Sequence, residues 1–282
     1  MHPNQMQSST IQDYSSITEL PDSLLSAEQL LRIFHRYQLA SDLVVSKRVL
    51  EVACGAGPGL GLLAQKAQQL VAVDYSLSVL QRAKAHYSAR FPLACSDAQQ
   101  LPFPSGAFDV VLCFEAIYYL PDYIHFLRES RRIVAPGGTL LLSLSNPNWP
   151  YFVPGLMTTH YPTVPELAQG LLGAGFKDAQ LFGILPASAS TPIGRLRDYL
   201  RRLALRVNPN ASTAPFAQAL KRLVYRRALP MPAELIPDAA TKISTDVKMT
   251  PLPLDRPDPT HRVLYALCTD NNENRTHFSQ KR

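Results

Sequence analysis

One eleven-residue stretch constrains this chain more than any other: Val49-Leu50-Glu51-Val52-Ala53-Cys54-Gly55-Ala56-Gly57-Pro58-Gly59. An apolar run carrying a single acid reads as a buried strand. It breaks into a turn dense in glycine before a helical pattern opens over 59–67. Glycine allows φ > 0 and removes the β-carbon from the path of an approaching ligand. The helix N-terminus beyond presents free N–H groups to a polar ligand, and Pro58 suits a first helical position.

The rest of the chain repeats that unit. Strand-like runs cover 48–53, 70–74, 92–95, 108–114, 139–145, 179–185 and 262–268. Helical periodicity covers 77–87, 123–134 and 164–174, and an earlier amphipathic helix opens after a Ser26 cap with Leu30, Leu31, Phe34 and Tyr37 as its stripe. Short strands alternating with helices imply parallel pairing through right-handed crossovers. The expected fold is therefore α/β, a doubly wound, mostly parallel, seven-stranded sheet with a helical insert before the last strand. The chain then divides into a flexible segment at 1–25, a core at 26–187, an insert at 188–258, the last strand at 259–270 and a disordered tail at 271–282.

Composition narrows the class. The chain has 282 residues, 46% hydrophobic and 18% charged, enough for one α/β domain with an insert. The apolar runs are too short to cross a bilayer, and the polar N-terminus has no apolar leader pattern. The four cysteines sit in or beside apolar runs without a CxxC pair, which predicts free buried thiols in a reducing cytoplasm and no metal site. The net charge of +6 is local. Between 191 and 230 nine Arg and Lys face only Asp198, so that stretch carries +8 and the remainder −2. Two amphipathic stripes, Leu196 to Leu203 and Phe216 to Val224, lie in it.

Three details discriminate among ligands. A dinucleotide fingerprint needs glycine at the sixth position from Gly55, where Leu60 stands, and no Gly-Lys-Ser/Thr is present for a P-loop. Glu51, just before the turn, suits a cationic amino group and repels a pyrophosphate; its bland alternative is a solvated strand end. Asp74 ends the second strand, where a carboxylate accepts ribose hydroxyls or caps a helix. Asp97, after the third strand, either accepts an adenine amine or forms a turn. All three fall at the carboxyl ends of successive strands, where open α/β sheets bind ligands.

With these residues in view, the sequence resembles the class I S-adenosylmethionine (SAM) methyltransferases, in particular the small-molecule group that includes the ubiquinone and menaquinone methyltransferases. The resemblance rests on the glycine loop, the Asp74 strand end, Asp97-Ala98, Phe108-Asp109-Val110-Val111 and the segment ending Pro136-Gly137-Gly138, and it covers about 45–146. It implies a Rossmann-like methyltransferase fold with SAM as cofactor. Glu51 and Gly55 to Gly57 would hold the methionine part, Asp74 the ribose, Asp97 and Ala98 the adenine, and Phe114 would lie beside the sulfonium, with Ala53 and Tyr75 also among the cofactor-binding residues. Ala53 departs from the family's usual glycine. The Arg36-Tyr37 pair either reaches the methionine carboxylate or divides into a surface Arg and a core Tyr.

The residues after the fourth strand bear on the acceptor. Methyltransferases of nucleic-acid amines show an Asp/Asn-Pro-Pro-aromatic tetrad there. This chain has Phe114-Glu115-Ala116-Ile117-Tyr118-Tyr119, which disfavours nucleic acid. Glu115, Tyr118 and His160 are the candidate catalytic residues, with Tyr119 beside them and Glu115 the first choice for a base. The basic insert should start and finish at the active-site edge and so cap the acceptor. Its arginines suit a phosphorylated or lipid-linked saccharide or an anionic membrane surface, a solvated face being the alternative. The expected activity is methyl transfer to a small-molecule or saccharide hydroxyl. The alternatives are C-methylation of a quinone-like ring, SAM binding without catalysis, and a nicotinamide dehydrogenase.

Overall fold

The computed structural model describes residues 20–186, 229–236 and 247–269. The two amphipathic stripes of 196–224 and the polar ends at 1–16 and 271–282 lie outside the described residues.

The elements run β1 (Leu24–Leu25), α1 (Ala27–Leu43), β2 (Arg48–Val52), α2 (Leu60–Ala64), β3 (Gln69–Asp74), α3 (Leu77–Tyr87), β4 (Leu93–Cys95) and β5 (Phe108–Phe114). They continue with a 3-10 turn (Ile117–Tyr119), α4 (Tyr123–Ile133), β6 (Val134–Ser145), α5 (Val164–Gly173), β7 (Asp178–Pro186), β8 (Leu229–Pro230), β9 (Thr250–Pro251) and β10 (His261–Thr269). The main sheet has the order β4-β3-β2-β5-β6-β10-β7-β9. β2 pairs in parallel with β3 and β5, β3 with β4, and β5 with β6, whereas β10 is antiparallel to both β6 and β7. The seven expected strands are all present. The two-residue β9 adds an eighth at the edge, antiparallel to β7.

Local chemistry explains the helix starts. Ser26 accepts from the Gln29 N–H while the Gln29 side chain returns to the Ser26 N–H, and Thr163 and Glu166 repeat this reciprocal cap on α5. Along the central strands successive side chains point to opposite faces. Val49, Ala72, Val110 and Leu112 pack with α1, α2 and α3 in one layer. Leu50, Val71, Val73, Val111 and Cys113 pack with α4 and α5 in the other. Burying both faces is why these strands read as continuous apolar runs.

Some expectations are corrected. α2 ends at Ala64 and its cap is Gly59, so Pro58 precedes the helix instead of opening it. Leu24–Leu25 pair with Leu229–Pro230, so the end of the segment expected to be flexible is ordered into a small sheet. Cys54, Cys113 and Cys268 are buried free thiols, whereas Cys95 is exposed. No helix among the described residues is long and apolar enough to cross a membrane.

The chain leaves β2 for β3 and β4 on one side and returns to β5 and β6 on the other. The carboxyl ends of β2 and β5 therefore flank the point where strand order reverses, and that is where such sheets open a crevice.

Candidate functional site

A cavity of about 490 Å³ opens there. Its walls include Glu51, Ala53, Gly55, Asp74, Tyr75, Asp97, Ala98, Phe114, Glu115 and Tyr118. Of the anticipated site residues, Gly57 and His160 are not in its lining. Gly57 shapes the loop from behind, at φ 73°, and its carbonyl accepts from the Tyr87 hydroxyl at 2.7 Å. His160 stands half exposed on the outer surface, stacked on Tyr123 and 3.5 Å from Glu166. A base role for His160 is thus not supported by its position.

The floor is the glycine loop. Ala53, Gly55 and Gly57 have φ of 57°, 60° and 73°, all left-handed. At Ala53 this costs about 1–2 kcal/mol that glycine would not incur. The turn is pinned by the Gly55 N–H donating to Asp74 Oδ2 at 2.7 Å and the Cys54 N–H donating to Val73 O at 3.0 Å. Asp74 also receives the Ser76 N–H on Oδ1 at 2.8 Å. Each oxygen thus carries one backbone donor and retains acceptor capacity. Burial pushes the Asp74 carboxyl up, while its hydrogen bonds with Ser76 and Gly55 act against that. Ser76, not Asp74, is the cap residue of α3.

At the other end of the floor Glu51 is buried, its Oε1 accepting a 2.6 Å hydrogen bond from the Tyr37 hydroxyl. Its Oε2 is equally buried and accepts no hydrogen bond from the described residues. Burial raises the Glu51 carboxyl to about 7, against the Tyr37 bond and the Arg36 charge that pull it down. Arg36 is also buried and lines the cavity, so the surface reading of that arginine is corrected. Its guanidinium lies 5.5 Å from the Tyr37 ring centre and 5.9 Å from that of Phe114. Phe114 meets Tyr37 edge to face at 5.3 Å.

At the β4 end of the cavity, Asp97 Oδ1 accepts the Gln99 N–H at 2.8 Å, the turn anticipated as its bland role. Even so, Asp97, Ala98 and Gln99 all face the cavity. On the opposite side Glu115 has φ 52° and accepts from the Tyr118 hydroxyl at 2.9 Å and the Ser145 hydroxyl at 3.1 Å. Arg32 lies 3.4 Å from its other oxygen and also donates to Ser145 at 3.3 Å. Gln29, Arg32 and Arg36 all come from α1 and line the cavity. Sequence reasoning passed over the first two, although their spacing of three and four places them on one helix face.

These groups suit a ligand that is cationic and anionic at one end and ribosyl at the other. A buried carboxylate oxygen short of a donor, beside an arginine, matches an amino acid's ammonium and carboxylate, and Asp74 matches a diol. The residues present therefore fit SAM: Glu51 and Arg36 would hold its methionine part, Asp74 the ribose and Asp97 with Ala98 the adenine.

Comparison with known proteins agrees. Residues 50–142 match the methyltransferase domain family. A probable S-adenosylmethionine-dependent methyltransferase of Mycobacterium tuberculosis is 31% identical over 229 residues, covering 78% of this chain and 76% of the relative. A demethylmenaquinone methyltransferase of Corynebacterium urealyticum is 35% identical over 42% of this chain and 49% of its own length. The crystal structure of a SAM-dependent methyltransferase from Archaeoglobus fulgidus superposes with a TM-score of 0.54 at 15% identity, over 86% of this chain and 94% of that one, and shares the fold. A glycine turn flanked by a buried carboxylate, an acid at the end of the next strand and a relative matched over three quarters of its length converge on one conclusion: this chain belongs to the class I S-adenosylmethionine-dependent methyltransferases.

Proposed function

We propose that this enzyme methylates a hydroxyl group of a small, polar acceptor, a saccharide foremost. The observation that carries this reading is the polar wall opposite the adenine side, where Gln29, Arg32, Glu115 and Ser145 line the cavity together. Arg32, Glu115 and Ser145 already bond to one another. An apolar ring with a polyprenyl tail would strip water from the wall's remaining donor and acceptor capacity without replacing it, whereas a hydroxyl-rich acceptor would replace it.

SAM supplies an electrophilic methyl carbon on its sulfonium. The residues around it must then align acceptor oxygen, methyl and sulfur, which accounts for much of such catalysis. Glu115 would accept the acceptor's hydroxyl hydrogen, aim an oxygen lone pair and take the proton as the methyl passes from sulfur to oxygen, the thioether being the leaving group. Tyr118 and Ser145 hold its carboxylate in place. The left-handed φ of Glu115 costs about 1–3 kcal/mol, and strain of that kind gathers at functional sites. Among relatives, 27-O-demethylrifamycin SV methyltransferase of Amycolatopsis mediterranei and a fatty-acid O-methyltransferase of Mycolicibacterium smegmatis are named for oxygen-bearing acceptors. The basic stretch of 191–227 favours a phosphorylated or lipid-linked form of the acceptor, with peripheral membrane contact as its other use. The four free thiols favour a cytoplasmic setting.

The test is methyl transfer from labelled SAM to a panel of sugar phosphates, free saccharides and polyprenyl quinone precursors. Label in an alkali-stable ether on a saccharide supports the reading. Label only on a quinone ring carbon replaces it with the alternative activity, and no turnover with any panel member removes the saccharide assignment.

A further inference from the structure

The segment 229–236, far from the glycine loop in sequence, grips that loop from outside. Leu235 donates its N–H to the carbonyl of Pro58 at 2.7 Å, and Pro58 lines the cavity. The neighbouring Glu234 carboxylate bonds His86 at 2.9 Å and Arg90 at 2.9 and 3.2 Å, both on or just past α3. It also lies so close over α2 that a β-carbon at Gly61 would collide with it. The segment's other anchors are apolar and main-chain. Met231 and Leu235 are buried in the α1-side core, and Met231 exchanges backbone hydrogen bonds with Asp22 and Ser23.

α2 has five residues, too few to be stable by its own hydrogen bonds. Its position, and hence that of the loop it ends, must come from tertiary contacts. Tyr87 supplies them from α3, donating to Gly57 O and standing 3.4 Å from the Gly61 nitrogen. On the other side Glu234 and Leu235 supply them.

We propose that residues 229–236 are a strap that sets the cofactor loop in its binding conformation, with Glu234 as the positioning residue. Glu234 lies outside the cavity lining and acts through Gly61, next to the Leu235 bond to Pro58. Glycine stands at 61 because the carboxylate occupies the space of a side chain. The proposal concerns cofactor affinity and is independent of which acceptor is methylated.

Titration of the whole chain with S-adenosylhomocysteine tests it, at a temperature where circular dichroism shows each variant folded. Glu234→Ala is expected to weaken binding about fivefold, the factor that goes with losing one partly buried ion-pair cluster. Glu234→Gln, which still accepts from Arg90, should recover most of it. Gly61→Ala favours the helix by intrinsic propensity, yet should weaken binding comparably by displacing the carboxylate. Adding Glu234→Ala to Gly61→Ala should then cost nothing more. Asp109→Asn is the control. It breaks the 2.8 Å pair with Arg48 at the opposite ends of β2 and β5, and should lower thermal stability without changing affinity. Unchanged affinity in both Glu234→Ala and Gly61→Ala overturns the proposal, and so does equal weakening in the control. Should Glu234→Ala not fold, Gly61→Ala decides alone.

Discussion

Tyr37 on α1 and Glu51 on β2 share a 2.6 Å hydrogen bond in which both partners are buried. The contact ties the first helix to the strand that delivers the glycine loop. It also leaves a carboxylate in a place where water cannot solvate its charge. Burial raises its carboxyl and the Asp74 charge adds to that, while the Tyr37 bond and the Arg36 charge pull it down; burial prevails and sets it at about 7.

This makes the ligand-free protein sensitive to pH in a defined direction. The folded state keeps the Glu51 proton up to about pH 7, and the unfolded chain releases it near 4.5. Stability contributed by Glu51 therefore falls as pH rises between those values, by about 3 kcal/mol in total. Thermal denaturation of the wild type minus that of Glu51→Gln should show this slope, and a flat difference would refute it. Affinity for S-adenosylhomocysteine should run the opposite way, rising as Glu51 ionises to meet the ligand's ammonium.

Asp74 combines two tasks, since it holds the Gly55 N–H and faces the cavity. Asp74→Ala should weaken S-adenosylhomocysteine binding about 30- to 100-fold, the cost of about 2–3 kcal/mol in lost charged hydrogen bonds. Calorimetric titration measures it directly, and a change under threefold would remove Asp74 from the ribose site.

Ala53 is a left-handed residue without glycine's freedom. Ala53→Gly relieves that strain and gives back part of the gain as unfolded-chain entropy. The expected net is about 0.5–1 kcal/mol of stabilisation, seen as a melting temperature about 1–3 °C higher. A lower melting temperature would mean that the Ala53 methyl group packs usefully.

Glu115 should separate catalysis from cofactor binding. In Glu115→Gln the methyl-transfer rate, measured with whichever acceptor the panel identifies, is expected to fall about 100-fold. Affinity for S-adenosylhomocysteine should stay within about twofold, since no cofactor contact is assigned to this side chain. Loss of affinity with full activity would assign Glu115 to the cofactor instead.

The extent to which the fold was readable differs by element. β5 and α3 have the limits that their patterns suggest, Phe108–Phe114 and Leu77–Tyr87, because apolar run and helical period change sharply at both ends. α2 stops three residues short of its pattern. The Lys66 and Ala67 N–H groups both donate to Leu63 O, which tightens the chain into the turn that leads to β3, and an apolar tally does not register that. The contribution of 229–236 to the core was equally invisible. Its pairing with residues 24–25 joins segments that no local pattern relates.

The site divides in the same way. Glu51, Asp74, Asp97 and Phe114 could be located from sequence because each lies at or just past a strand's end, and parallel strands bring their carboxyl ends to one edge whatever the rest of the chain does. Arg32 and the outward position of His160 could not, and for Arg36 the sequence left the inward and the surface readings both open. Whether a helix or loop side chain turns inward depends on how that element docks on the sheet, a long-range packing outcome. The sequence by itself determined the parallel sheet, the glycine turn and the acids at its rim, since these arise from short-range periodicity and backbone sterics. Only the tertiary structure decided that Arg36 is buried beside Glu51, that His160 faces outward and that Glu234 packs over the loop's helix, because each depends on contacts between segments distant in the chain.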